Sequence, residues 1–412
     1  MKVLRHGLFK DRRVFDENYI PPELRVRRGE AEALARIYLN RLLSGAGLSD
    51  VNMIYGSIGR VGIGKTTLAK FTVKRVSEAA AKEGLTVKQA YVNAFNAPNL
   101  YTILSLIVRQ TGYPIQVRGA PALDILKALV DNLYVENHYL LVILDEFQSM
   151  LSSPRIAAED LYTLLRVHEE IPSRDGVNRI GFLLVASDVR ALSYMREKIP
   201  QVESQIGFKL HLPAYKSREL YTILEQRAEL GLRDTVWEPR HLELISDVYG
   251  EDKGGDGSAR RAIVALKMAC EMAEAMGRDS LSEDLVRKAV SENEAASIQT
   301  HELEALSIHE LIILRLIAEA TLGGMEWINA GLLRQRYEDA SLTMYNVKPR
   351  GYTQYHIYLK HLTSLGLVDA KPSGRGMRGR TTLFRLAPHL PADRLIEVVD
   401  NIIQAKMASG YE

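Results

Sequence analysis

The segment VNMIYGSIGRVGIGKTTLAKFTV, residues 51–73, constrains the fold of this chain more tightly than any other. It opens on a strand-like apolar run at 51–57, turns helical from Lys65, and joins the two through GRVGIGKTT. Gly59, Gly64, Lys65 and Thr66 fit the spacing G-x-x-x-x-G-K-[ST] between a strand and a helix. Glycines there let successive backbone N–H groups curl round phosphate oxygens, and the helix N-terminus behind them adds a favourable dipole. In such a loop Val61, Gly62, Ile63 and Thr67 complete the wrap, Lys65 reaches the β and γ oxygens, and the Thr66 hydroxyl is placed to hold Mg2+. A chance glycine turn would require neither the strand ahead of it nor the helix behind.

Further strands are expected at 86–94, 139–145, 180–187 and 208–212, with helical patterns between them. The runs at 139–145 and 180–187 are almost continuously apolar, as strands buried on both faces are. The first half of the chain therefore predicts an α/β fold, a parallel five-stranded sheet with helices on both faces. Ligands of open α/β sheets bind at the carboxyl ends of the strands. YLLVILDE brings Asp145 and Glu146 to such an end, Asp145 to hold the metal through water and Glu146 to orient or deprotonate an attacking water. LLVASD brings Ser187, with Asp188, to the end of the next strand, within reach of a γ-phosphate or that water.

From Tyr215 to about Ala295 the pattern is helical, broken by EDKGGDGS at 251–258, and 296–305 reads as a linker. Helices follow near 307–321, 329–338 and 351–364, then two short strands round GRGMRGRT at 374–381, then an amphipathic helix at 391–407. The formal charge is only +2, so affinity for nucleic acid has to come from where the charges sit. Between Met344 and Arg385 eight lysines and arginines face a single acid, Asp369. Helix, helix, helix, strand, basic hairpin, strand is the order of a winged helix-turn-helix, whose third helix enters the major groove while the wing meets the backbone or the minor groove.

In that third helix Tyr355, Tyr358, Leu359, Leu362 and Leu365 are expected to face the core. Thr353, Gln354, Lys360, His361 and Ser364 remain outward. Lys348, Arg350, Lys360, Arg375, Arg378 and Arg380 are the expected backbone contacts, and Thr353 and Gln354 the base contacts. The lone cysteine, Cys270, excludes an internal disulfide and reads as a small core residue. No apolar run approaches a membrane span, and the N-terminus lacks the apolar stretch of a secretory signal, so a cytoplasmic, nucleoid-associated protein is expected.

Taken together these elements resemble an AAA+ ATPase, and more narrowly the archaeal origin-recognition and replication-initiator family, related to the eukaryotic origin recognition complex subunits. The resemblance runs through nearly the whole chain. NYIPPELRVRRGEAEALA at 18–35 is similar to the family's N-terminal box, which lies against the adenine. HLPAYKSRELYTILEQR at 211–227 resembles its hinge into a helical lid and brings in Tyr215 as a nucleotide neighbour. GSARRAI at 257–263 is similar to its G-D-A-R pattern, which makes Arg260 a second sensor of the γ-phosphate, with Ser258 in place of the usual Asp.

The resemblance implies an AAA+ core over 1–213, a helical lid over 214–295 and a winged-helix domain over 296–412. It also implies ATP or ADP with Mg2+ as cofactors and double-stranded DNA at replication origins as the partner, with other initiator copies and a replicative helicase as further partners. Arg118, in the loop at 111–124, is similar to the family's small DNA-touching insertion. One departure matters: Gln201 stands where the family's arginine finger aligns, with Arg196 nearby, so ATP hydrolysis is expected to be slow and to act as a switch. Two other classes share parts of this pattern: a P-loop ATPase of transcriptional or signalling type ending in a winged helix, and a clamp-loader or transposition ATPase. The sequence holds no ligand-binding repeat array of the kind the former uses.

Overall fold

The computed structural model describes residues 7–97, 99–153, 155–296, 303, 306–373, 381–388 and 390–408, with the side chains of residues 152, 294–296 and 408 left aside. The chain divides into two compact units, residues 1–253 with 257–263, and residues 254–256 with 264–412.

In the first unit, helix α1 (Arg28–Leu43) leads into strands β1 (Gly47–Leu48) and β2 (Val51–Gly56). Helix α2 (Lys65–Lys82) precedes β3 (Thr86–Asn93), and α3 (Leu100–Thr111) and α4 (Ala122–Val135) precede β4 (His138–Asp145). The short helices α5 (Gln148–Ser152), α6 (Ala158–Leu165) and α7 (Val167–Glu170) lead to β5 (Asn178–Asp188). Two more, α8 (Arg190–Lys198) and α9 (Pro200–Glu203), lead to β6 (Lys209–Leu212). The sheet runs β3-β4-β5-β2-β6, all parallel, and the two-residue β1 adds to β5. The five expected strands are all there, each within two residues of its predicted bounds.

Alternation explains the two cores. Met53, Leu140, Val142, Leu144, Phe182 and Leu184 turn to one face and pack with α3, α4 and α6. Their neighbours Ile54, Leu141, Ile143, Leu183 and Val185 turn to the other and pack with α1 and α2. A strand covered on both faces must be apolar at every position, which is why β4 and β5 read as unbroken runs. Because every strand points the same way, the phosphate loop after β2 and the acids ending β4 and β5 meet at one edge.

The same unit contains α10 (Ser217–Gly231) and α11 (Pro239–Tyr249). The N-terminal segment is pinned to α10: Lys10 N–H donates to Gly231 O at 2.8 Å, and Arg227 Nη1 donates to Val14 O at 2.6 Å. A side chain on Gly231 would drive into the Phe15 ring, so close packing there requires glycine.

Helix α12 (Ala259–Ala275) starts in the first unit and continues into the second, where α13 (Glu283–Ala296) follows. Cys270 is buried in α12, as expected. The winged-helix elements are α14 (Ile308–Leu322), β7 (Ile328–Asn329), α15 (Ala330–Thr343), α16 (Tyr352–Ser364), β8 (Val368–Pro372), β9 (Thr382–Leu386) and α17 (Ala392–Ala408). Ser307 caps α14 in a capping box with Glu310, and the Asn329 side chain accepts from Leu332 N–H to cap α15. Eleven of the fifteen residues of α14 are buried, which makes it the centre of this core.

The three strands form an antiparallel sheet in the order β7-β9-β8. The third strand, β7, was not expected from the sequence. The expected core stripe on α16 needs one correction. Tyr355, Leu359 and Leu362 are buried and Tyr358 half-buried, but Leu365 is exposed. The helix ends there with Gly366 at φ 73, and Leu367, bonded back to Leu362 O, fills the core position instead.

Candidate nucleotide site and nucleic-acid interface

The loop between β2 and α2 has the backbone its sequence demands. Gly59, Gly62 and Gly64 lie at φ 72, 69 and 84, a region that disfavours any side chain. Close approach adds a second reason: a Cβ on Gly64 would overlap the Tyr215 hydroxyl, and one on Gly62 would overlap Ser258 Oγ and lie 2.9 Å from Arg260 Cβ. Ile63 is buried and anchors the loop, Val61 is exposed, and Lys65 opens α2 with Thr66 and Thr67 beside it. Burial pushes the Lys65 ammonium below its usual pKa range, while the carboxylates of Glu146, Asp145 and Asp188 pull it back up. A lysine under that tension gains most from an added anion.

At the end of β4, Asp145 is buried and accepts three hydrogen bonds. Thr66 Oγ1 donates to its Oδ2 at 2.8 Å, Tyr91 OH to the same oxygen at 2.9 Å, and Glu146 N–H to Oδ1 at 2.9 Å. Glu146 holds φ 52, a left-handed conformation unusual for its residue type and characteristic of functional turns. Gln148 Nε2 donates to Glu146 Oε2, and Gln148 Oε1 accepts from Ser187 N–H at 3.0 Å, so one amide ties the acid to the end of β5. Ser187 itself is half-buried there. Asp188 turns inward and is engaged by Arg190, whose Nη2 lies 2.6 Å away.

Arg260 sits at the start of α12, where Ala259 N–H donates to Gly62 O at 3.0 Å and joins the lid helix to the phosphate loop. Its guanidinium is exposed and 3.5 Å from Glu17, the residue just ahead of the N-terminal box. Tyr215 is buried under the Arg27 guanidinium, 4.1 Å from ring centre, and Arg27 Nη2 donates to Pro213 O. Sequence reasoning missed Arg27, Tyr91, Gln148 and Glu17. Gln201 and Arg196 are both exposed, and Arg196 lies 3.6 Å from Glu203.

The donor set fits a nucleotide with a hard divalent cation. Thr66 Oγ1 and Asp145 Oδ2 are oxygen ligands of the kind Mg2+ takes, at adjoining element ends, beside a glycine cradle that side chains would fill. Thr66 and Asp145 would hold the ion, which would supply positive charge to offset that of the phosphates.

In the winged helix, Lys348, Arg350, Thr353, Gln354 and Lys360 are all exposed. Arg350 is also positioned: its Nε–H donates to His309 Nε2 at 3.0 Å and its N–H to Tyr337 OH at 2.9 Å. Because His309 Nε2 accepts, its Nδ1 carries the proton and donates to Tyr337 OH, leaving the imidazole neutral. His361 is exposed, as expected, and its Nδ1 lies 2.5 Å from Glu310 Oε1. At the root of the wing, Lys371 and Arg385 stack on Trp327, and Arg385 pairs with Asp369 at 3.0 Å. Arg375, Arg378 and Arg380 lie outside the described residues. Arg118 is exposed in the 112–121 loop, next to Gly119 at φ 79.

Comparison with known proteins adds the following. The chain matches the AAA domain family over residues 54–188, the Cdc6/ORC-like ATPase lid domain over 215–277, and the CDC6 C-terminal winged helix domain over 301–391. It is 32% identical to the ORC1-type DNA replication protein 2 of Saccharolobus solfataricus, over 97% of this chain and 94% of that protein. It is 31% identical to the protein of the same name from Sulfurisphaera tokodaii, over 97% and 95%. Among solved structures it is similar to the Aeropyrum pernix ORC2 protein in ADPNP-ADP complexes, at 98% identity and a TM-score of 0.84, covering 98% of this chain and all of that one.

Proposed function

This chain belongs to the Cdc6/ORC-like family of AAA+ ATPases, and on that premise we propose that it is an ATP-regulated DNA-binding protein that recognises replication origins and initiates DNA replication. The observation that carries the reading is the coexistence in one chain of a phosphate loop, with Thr66 and Asp145 in contact, and a winged helix whose stretch 344–385 carries eight lysines and arginines against one acid.

The nucleotide is ATP or ADP with Mg2+. Gly59, Gly62 and Gly64 cradle the phosphates with the backbone of Val61, Ile63 and Thr67. Lys65 neutralises the β and γ oxygens, Thr66 and Asp145 hold the metal, and Glu146 activates water. Ser187 and Arg260 sense the γ-phosphate, and Tyr215 supports the nucleotide from below the loop. Hydrolysis is slow and serves as a switch. The core, lid and winged-helix domains span 1–213, 214–295 and 296–412. Lys348, Arg350, Lys360, Arg375, Arg378 and Arg380 meet DNA backbone, Thr353 and Gln354 read bases, and Arg118 adds a contact from the core. Further copies of the initiator and a replicative helicase are its proposed protein partners, on the nucleoid in the cytoplasm. Among the described residues no helix is long and apolar enough to cross a membrane.

Nuclease footprinting of genomic fragments from the encoding organism, with and without ATP, tests this directly. The expected result is protection of an inter-genic repeat that changes with nucleotide. Uniform, sequence-blind protection would overturn it. A transcriptional or signalling ATPase is not favoured, because the lid and winged-helix families and the named relatives are all replication proteins.

A further inference from the structure

The metal carboxylate is gripped by a side chain that the phosphate loop does not supply. Oδ2 of Asp145 receives two hydroxyl donors, Thr66 Oγ1 from α2 and Tyr91 OH from β3, at 2.8 and 2.9 Å. The Thr66 oxygen is itself placed to bind the ion, so its bond to Asp145 changes character when the metal enters. The phenol of Tyr91 lies outside the loop and is free to keep its bond in both states. Above its ring, 3.9 Å from the centroid, sits the ammonium of Lys70, four residues beyond Thr66 on the same helix. A cation on the face of a phenol withdraws π density and strengthens the O–H as a donor.

A phenylalanine at position 91 would give the same half-buried apolar surface on β3 with no polar atom to satisfy. The hydroxyl therefore needs a reason, and its partner is the one carboxylate at this edge that faces Thr66.

We propose that Tyr91, polarised by Lys70, is a positioning residue that fixes the rotamer of Asp145 and thereby sets the affinity of the site for Mg2+. The inference rests on the assignment of Asp145 as the metal carboxylate. It makes three elements, α2, β3 and β4, jointly responsible for a metal site whose ligands come from two. Loss of a partner that orients a ligand typically lowers metal affinity by 10–100-fold, and roughly tenfold is expected here because Glu146 N–H still holds Oδ1.

The test is the affinity of the full chain for ADP, by calorimetry, across a Mg2+ titration and in EDTA, for wild type, Tyr91→Phe, Lys70→Met, Lys70→Arg, Asp145→Ala and the Tyr91→Phe/Asp145→Ala double variant. Tyr91→Phe is expected to bind ADP in EDTA as wild type does while needing roughly tenfold more Mg2+ for the metal-dependent gain. Lys70→Met moves the same way by less, Lys70→Arg restores it, and the double variant behaves as Asp145→Ala alone. Loss of the Mg2+ gain in Asp145→Ala with its full retention in Tyr91→Phe would overturn the inference and leave the Asp145 assignment standing. Equal weakening of Tyr91→Phe in EDTA and in Mg2+ would also overturn it, by making Tyr91 a packing residue. An Asp145→Ala protein that keeps the whole Mg2+ gain would remove the assignment, and the inference with it.

Discussion

The roles proposed for Lys65, at the start of α2, and Glu146, just past β4, differ, and single substitutions separate them. Lys65 is held among the three carboxylates of Glu146, Asp145 and Asp188 against the cost of burial, so its charge is available to an incoming phosphate. Lys65→Ala should lower the affinity for ADP and ATP at least tenfold by calorimetry, and unchanged affinity would refute the site. Glu146→Gln keeps the size and the contact with Gln148 but cannot take a proton. It should retain ATP binding and cut single-turnover hydrolysis by roughly 10²-fold or more. The glycines, Lys65 and Thr66 were legible in the sequence because a phosphate loop imposes their spacing, and Asp145 because it ends the unbroken apolar run of β4. Tyr91 and Gln148 were not. A tyrosine in an alternating strand reads as half-buried packing, and only the register that sets Asn93 opposite Asp145 brings its hydroxyl there. The pairings of Arg350 with His309 and of His361 with Glu310 are likewise products of folding, joining residues 41 and 51 positions apart.

Elements long enough to carry a period were readable, and those shorter than one period were not. Strands β2 to β6 announced themselves through apolar runs or alternation, whereas β1 and β7, two residues each, carry no pattern and exist only because a neighbouring strand pairs with them. The helices α7 and α9, four residues each, escaped for the same reason. The tip of the wing lies outside the described residues and is read from composition alone: glycines would let a hairpin tip bend close to a duplex, and interleaved arginines would then reach phosphates or a narrow minor groove. Each phosphate contact removed lowers the slope of log affinity against log salt by roughly 0.9. Arg378→Ala with Arg380→Ala should therefore flatten the salt dependence by one to two such steps and weaken binding on most sequences alike. Thr353 and Gln354, exposed on the first turn of α16, should act in the opposite sense, with Ala substitutions changing base preference more than affinity. A salt titration on several duplexes, with ADP affinity as the folding control, decides both. An arginine double variant that keeps its affinity and its slope would reduce the wing to a solvated turn.

At the scale of the whole molecule, the slow hydrolysis proposed for this chain rests on a missing charge. An arginine supplied in trans stabilises the transferring phosphoryl group and contributes on the order of 10³ or more to hydrolysis. The resemblance aligns that position with Gln201, which lies on the short helix α9, and an amide dipole would carry no net charge to the transition state. Arg196, the neighbouring candidate, is exposed but lies 3.6 Å from Glu203, a carboxylate also bonded by Lys209 at 2.9 Å. That contact is long and Arg196 is largely exposed, so it does not by itself prevent Arg196 from reaching elsewhere. What decides between the two cases is order in protein concentration. If no guanidinium is donated between copies, ATP turnover per molecule should be slow and flat across a hundredfold range of concentration, and Arg196→Ala should leave it unchanged. Gln201→Arg should then raise the rate and make it climb with concentration, because the substitution restores the charge that only a second molecule can present. A wild-type rate that already climbs steeply, and collapses in Arg196→Ala, would show instead that Arg196 supplies the charge, and the chain would be a cooperative ATPase and not a slow switch.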